Sequence, residues 1–157
     1  LETAGAELLV LCTNTMHKVA PAIESAVSTP LLHIADATAE AAKLAGIRRV
    51  GLLGTRFTME EAFYRDRLRE RHGIATIIPD AADRARVHAI IYDELCLGRL
   101  LDSSRAELLA IVDRLAAQGA QGVVLGCTEL PLLLQLKRLL LILLQPQQLK
   151  MLLKLKW

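Results

Sequence analysis

Val123-Val124-Leu125-Gly126-Cys127-Thr128-Glu129-Leu130-Pro131 is the stretch whose reading decides the fold. Its unbroken apolar run is that of a strand buried on both faces, as in a parallel sheet. A thiol sits at the strand's C-terminal tip, small polar residues follow, and then a helix. Leu8-Leu9-Val10-Leu11-Cys12-Thr13-Asn14-Thr15-Met16-His17 repeats the arrangement near the other end of the chain. Two such strand–loop–helix units point to an α/β fold.

Working outward, apolar runs alternate with helical stretches. Leu8–Leu11 is the first strand, followed by a helix with Pro21 in its first turn. Asp36 is the expected cap of a helix that runs through Lys43 and ends at Gly46. Arg49–Leu53 is the next strand. Thr58-Met59-Glu60-Glu61 reads as a capping box opening a helix that turns Phe63, Tyr64 and Leu68 inward and stops at Gly73. Ile74–Ile78 is a short strand, closed by Pro79 and the cap Asp80. The following helix runs through Ile90, Ile91 and Leu95 to Gly98. Ser104-Arg105-Ala106-Glu107 reads as a second capping box, and its helix stops at Gly119. Gln121–Leu125 is the last clear strand. Residues 31–131 thus form a nearly complete doubly wound lobe, and 1–30 look like the last strand and helix of a sister lobe.

Composition narrows the classes. The chain has 157 residues and is 53% hydrophobic, enough for one domain with a real core. After Glu129 there is no acidic residue, while Lys137, Arg138, Lys150, Lys154 and Lys156 follow. Setting those five aside turns the formal +2 into about −3 for the body. With 3% aromatic residues and no basic stripe, a nucleic-acid surface is not expected. Three cysteines, an odd number, argue against a disulfide framework, and no CxxC pair suggests zinc. No GxGxxG or GxxxxGK[ST] suggests a nucleotide. A cytoplasmic location is the default.

The tail, 132–157, is half leucine, with Gln and Lys making up most of the rest. Gln135, Lys137, Arg138 and Pro146 break it too often for a membrane span, which needs about 20 apolar residues in a row. Lys150 and Lys154, four apart, allow an interfacial helix. A membrane role is disfavoured, and a helical or atypical end is expected. The opening Leu1-Glu2-Thr3-Ala4-Gly5-Ala6 lacks a start Met and reads as a chain cut inside a larger protein.

Ligands of open α/β sheets bind beyond the strands' C-terminal ends, where Cys12, Thr55 and Cys127 fall. The helices that follow offer free amides, which favour anions and can lower a thiol's pKa. Two thiols facing one carbon can take a proton from one side and return it to the other. Thr13, Asn14, Thr15, Thr55, Thr58 and Thr128 are small neutral donors suited to a carboxylate that gains charge during such a transfer. A lone Cys at a strand end is more often a small buried residue than a base, and Cys96 is read that way. His17 is expected to pack or hydrogen-bond after the Asn14-Thr15 turn. Glu129 is either a first-turn charge or an ammonium contact.

Cys12-Thr13-Asn14-Thr15-Met16-His17-Lys18-Val19, Leu32-His33-Ile34-Ala35-Asp36-Ala37-Thr38, Leu53-Gly54-Thr55-Arg56-Phe57-Thr58-Met59, Ile91-Tyr92-Asp93-Glu94-Leu95-Cys96-Leu97-Gly98 and Gly126-Cys127-Thr128-Glu129 together resemble the aspartate/glutamate racemase superfamily, closest to its broad-specificity amino-acid racemases. The resemblance covers roughly residues 5 to 134. It implies an α/β fold with a Rossmann-like parallel sheet flanked by helices, here one complete lobe plus a remnant of a second, pseudo-symmetric one. It implies a cofactor-independent amino-acid racemase, with Cys12 and Cys127 as acid–base thiols and Asn14, Thr15, Thr55, Thr58 and Thr128 around the substrate carboxylate. In strict aspartate racemases a basic residue matches Cys96, so the resemblance implies a looser substrate range.

The family's Gly-rich first strand does not precede Leu1, and the tail does not resemble the family's return to its first lobe. Weak or absent activity is expected of this chain alone. The expected partner is a small amino-acid substrate, with a homodimer left open. Alternative readings are a hydantoin racemase-type isomerase, a decarboxylase of disubstituted malonates, which needs only one cysteine, and a non-catalytic α/β fragment acting through association.

Overall fold

Leu9–Val10 (β1) and Leu31–Leu32 (β2) pair in parallel, Leu9 opposite Leu31, in a computed structural model that describes residues 1–134 and 140–142. Between them a 3-10 turn over Thr15–Val19 runs into helix α1, Ala20–Ala26, with Pro21 in its first turn where no intrahelical N–H is lost. The lobe boundary expected after residue 30 thus falls two residues early, because Leu31–Leu32 is paired to the first strand.

The second sheet begins after helix α2, Ile34–Leu44. Strand β3 is Arg49–Leu53, followed by two helices, α3 (Arg56–Glu60) and α4 (Ala62–His72). Strand β4, Ala75–Ile77, leads to α5, Ala81–Ala89. Helix α6, Asp102–Ala117, leads to strand β5, Gly122–Leu125, then to the short α7, Leu130–Leu133, and strand β6, Leu140–Ile142. The order across this sheet is β4-β3-β5-β6, and every pairing is parallel. The fold class is therefore α/β, with parallel sheets flanked by helices.

Alternation along the central strands makes two cores. Val50, Leu52 and Val124 pack with Ala35, Ala39, Tyr64 and Leu68 of α2 and α4. Leu53, Val123 and Leu125 pack on the other face with Val87, Leu108, Ile111 and Leu115 of α5 and α6. Leu52 and Leu53 are both 0% exposed, and full burial of such a side chain is worth about 1.5–3 kcal/mol. An exposed pair such as Lys43–Glu40 contributes about 1 kcal/mol at most. Apolar burial, not surface charge, places the sheet.

Helix starts depart from expectation. His33, not Asp36, caps α2: its Nδ1 accepts from the Ala35 N–H at 3.1 Å. Asp36 lies in the first turn, held by both Arg67 Nε and Nη2 at 2.7 Å and by His72 Nε2 at 2.8 Å. Thr58 does not open its helix either. Thr55 is the cap of α3, and extended backbone at Glu61 separates α3 from α4. Ser104 sits inside α6, where its buried hydroxyl donates to Glu94 and not to the backbone. In each case a serine, threonine or aspartate near a helix start found a tertiary partner that outweighed the local cap.

The helix after β4 widens at its end into a π turn over Ile90–Glu94 and tightens into a 3-10 turn over Leu95–Leu97. Gly98 closes it in the left-handed region at φ +73°. The buried Glu94 carboxylate accepts from Arg86 Nη1 at 3.1 Å as well as from Ser104, pinning this irregular segment to α5 and α6.

The tail was expected to be helical or atypical. Leu140–Ile142 instead adds a strand beside β5, with Gly122 opposite Leu140. Leucine's helical preference is a weak prior against an open parallel edge. The Lys150 and Lys154 reading lies outside the described residues. Among the described residues no helix is long and apolar enough to cross a membrane.

Candidate active site

Three strand ends meet at one cleft of about 240 Å³. The loop after β1 brings Cys12, Thr13, Asn14 and Thr15. The end of β3 brings Thr55, and the end of β5 brings Gly126, Cys127 and Thr128. Seven of the eight residues singled out from sequence thus line a single opening, contributed by both sheets. Thr58, the eighth, is not in the lining. It is 0% exposed and lies behind the wall, its hydroxyl 3.2 Å from that of Thr15 and 3.3 Å from that of Thr55.

Close approach of β3 and β5 shapes the floor. A Cβ on Gly126 would stand 3.0 Å from Thr58 Cγ2 and 3.1 Å from the Leu53 carbonyl. One on Gly54 would stand 3.2 Å from both the Gly126 carbonyl and Thr58 Cβ. Only glycine lets the two strand ends and Thr58 come together here.

His17 anchors the first wall. It is buried, its Nδ1 lies 2.7 Å from the Thr13 carbonyl, and its Nε2 accepts from the Ile34 N–H at 3.1 Å. Nδ1 therefore carries the proton and donates to Thr13. Burial lowers its pKa, with Arg67 adding to that effect against the hydrogen bond to Thr13. The neutral ring ties the Cys12 loop to the start of α2.

The thiols differ in setting. Cys12 is exposed and Cys127 half-buried. Cys127 Sγ donates to Glu129 Oε2 at 2.8 Å, and Thr128 Oγ1 donates to the same oxygen at 2.9 Å. Burial, and then the Glu129 carboxylate, push the Cys127 thiol up to about 12. The hydrogen bond from Cys127 in turn holds Glu129 below the usual carboxylate range, against burial. This reverses the expectation that a helix N-terminus lowers the thiol: the Glu129 backbone N–H does lower it, but burial and the Glu129 carboxylate outweigh that one amide. Cys127 rests protonated beside an ionised Glu129.

The far wall holds two residues that the sequence did not single out, Ile91 and Tyr92, and Cys96, which the resemblance sets at the place of a basic residue in strict aspartate racemases. Ile91, Tyr92 and Cys96 come from the π and 3-10 turns. Cys96 was expected to be a small buried residue, yet it is exposed and faces the same cleft as the other two cysteines. The change of helical pitch turns it outward, and no residue pattern marks that change. Among the described lining residues there is no Lys or Arg, and the one carboxylate is Glu129. Among the described residues no group of His, Cys, Asp and Glu is arranged to hold a metal ion.

The family model described as Asp/Glu/Hydantoin racemase matches residues 1–148. The chain belongs to that family. It is 54% identical, with a TM-score of 0.85, to a Yersinia pestis crystal structure assigned to the Asp/Glu racemases, over 89% of this chain and 61% of that one. An aspartate racemase homologue from Pyrococcus horikoshii OT3 is 33% identical with a TM-score of 0.82, over 98% of this chain and 68% of that one. A glutamate racemase from Shewanella sp. (strain MR-4) is 28% identical over 139 residues, which is 83% of this chain and 46% of that protein. The chain thus spans about half the length of the glutamate racemase and less than two thirds of the Yersinia protein.

Proposed function

We propose that the cleft is the site of a cofactor-independent amino-acid racemase working by two-thiol proton transfer. The observation that carries this reading is that Cys12 and Cys127, from separate sheets, line one small opening. Cys12, as thiolate, takes the α-proton. The electrons of the broken C–H bond move into the substrate carboxylate, whose growing charge is met by Asn14, Thr15, Thr55 and Thr128. Cys127 delivers its S–H proton to the opposite face, leaving Cys12 protonated and Cys127 as thiolate for the return direction. The resting proton on Cys127 suits it to begin as the acid.

Glu129 is placed to meet the α-ammonium. With no cation in the described lining, the side-chain end of the cleft, walled by Ile91, Tyr92 and Cys96, suits neutral side chains better than carboxylates. Thr58 acts from behind, orienting the Thr15 and Thr55 hydroxyls.

The test is α-proton exchange in deuterated water, followed by NMR, with single enantiomers of methionine, homoserine, aspartate and glutamate, and with a substituted hydantoin in parallel. Exchange of free amino acids above the protein-free rate, lost in both Cys12→Ser and Cys127→Ser, is the expected result. Exchange is expected to be slower than in a full-length family member. Exchange of the hydantoin alone would move the assignment to that branch of the family. No exchange with any of them by a full-length protein that contains this chain would remove the catalytic reading.

A further inference from the structure

His88 is not in the lining of the thiol cleft, yet it touches the elements behind two of its walls. It sits half-buried in α5, one turn before the π turn that carries Tyr92. Its Nδ1 accepts from the Arg56 N–H at 3.2 Å. Arg56 is the first residue of α3, directly after the cap Thr55. Its N–H is one of those that a helix start leaves without an intrahelical partner. The His88 ring also packs on Tyr92, with centroids 4.6 Å apart and planes tilted by 51°. Phe57 stands edge-on to the same ring at 6.3 Å.

The two links differ in kind. The hydrogen bond holds the start of α3, and with it the backbone that carries the Thr55 hydroxyl into the cleft. The ring contact acts on a side chain. Tyr92 is 47% exposed, and packing on His88 selects one of the rotamers open to such a ring.

We propose, resting on the racemase reading above, that His88 is a positioning residue that sets two walls of the cleft separately. Through Arg56 it aims Thr55 at the substrate carboxylate. Through Tyr92 it shapes the end that receives the substrate side chain. The kinetic consequences differ. The carboxylate gains charge only on the way to the transition state, so a misplaced Thr55 lowers kcat. The side chain is held alike in the ground and transition states, so a loosened Tyr92 raises KM and leaves kcat unchanged.

Two variants separate the links. His88→Asn keeps an acceptor, Oδ1, near the place of Nδ1 and loses the ring. His88→Phe keeps a ring against Tyr92 and loses the acceptor. Both residues have a helix preference close to that of histidine, and the Arg84 Nε–Glu60 Oε1 pair at 2.9 Å still ties α5 to α3. Exchange kinetics are measured in a full-length protein that contains this chain, with methionine and with alanine, whose side chain is a single methyl. His88→Phe should lower kcat about fivefold for both substrates, the loss for one ordinary hydrogen bond, with KM kept. His88→Asn should raise KM for methionine about fivefold, the worth of one aromatic contact, with alanine and both kcat values kept. An equal fall in kcat for both variants, the mark of a merely structural residue, would overturn the proposal. No change in either variant would overturn it too.

The same split is read without catalysis from χ1 couplings in NMR of the isotope-labelled chain. Thr55 should lose its single rotamer in His88→Phe and keep it in His88→Asn, and Tyr92 should do the reverse. A full-length parent that exchanges neither substrate would sink the racemase reading alone. The couplings then decide, and rotamers that do not separate in this way would overturn the positioning role.

Discussion

Cys127 Sγ lies 2.8 Å from Glu129 Oε2, so the thiol gives its hydrogen bond to a carboxylate two residues along the same turn. Burial is the leading cause of the raised thiol pKa, and Glu129 the next. Glu129→Gln removes the negative charge and keeps an acceptor. The Cys127 pKa should then fall from about 12 while staying above the ordinary thiol value of 9.0, because burial persists. Alkylation of Cys127 by iodoacetamide across pH, read by peptide mass spectrometry, reports the midpoint. An unmoved midpoint would assign the whole effect to burial.

His33 carries a second pH signature. Burial, then the Arg67 guanidinium and the neighbouring His17, lower its pKa from 6.5 to about 3. The unfolded chain therefore takes up this proton before the folded one does. The stability linked to His33 is complete above pH 6.5 and drains away as pH falls toward about 3. Asp36 is held well below the carboxylate range: burial opposes its charge, but hydrogen bonds from Arg67 and His72 prevail, so its contribution is lost at lower pH still. Thermal melts should weaken from just below pH 6.5 downward. His33→Asn keeps a side chain able to cap α2 and should flatten that upper part of the curve. A mutant curve parallel to the parent's would refute this.

Gly126→Ala should destabilise the chain by about 1–3 kcal/mol, the usual range for overpacking a full interior. The new methyl would stand 3.0 Å from Thr58 Cγ2 and 3.1 Å from the Leu53 carbonyl, and the backbone oxygen cannot retreat without disturbing the pairing of β3 and β5. Urea unfolding measures the loss. Stability within about 0.5 kcal/mol of the parent would show that the strand ends are less tightly joined.

Cys96→Lys tests the neutral wall. A lysine there would supply the cation that the described lining lacks. Because Cys96 is exposed, the gain is that of a screened pair, about 1 kcal/mol, or about a fivefold rise in aspartate exchange relative to methionine. A ratio that does not change would place the side-chain end of the substrate elsewhere in the cleft.

Strand β3 is readable to the residue in the sequence, since Val50, Leu52 and Leu53 must be buried on two faces at once and nothing else accepts such a run. The same is nearly true of β5. The left-handed stops at Gly46, Gly73, Gly98 and Gly119 are legible because glycine meets that backbone requirement without strain. The thiols and hydroxyls at the strand tips come to one cleft because strand ends in a parallel sheet share a rim. What escapes local pattern is decided by distant partners. Asp36 reads as a cap until Arg67 and His72 are in place, and Ser104 until Glu94 is. Cys96 reads as core because an ideal helix would turn it inward.

The π turn at Ile90–Glu94 has a consequence for how chain length can vary here. A turn of that kind houses one residue more than an α-helix of the same span. Deleting a single residue would let the segment relax into regular pitch and swing the third sulfur about 100° around the axis, off the rim and into the apolar interior. One added amino acid, rather than any change of side chain, is what brings that wall within reach of a bound molecule.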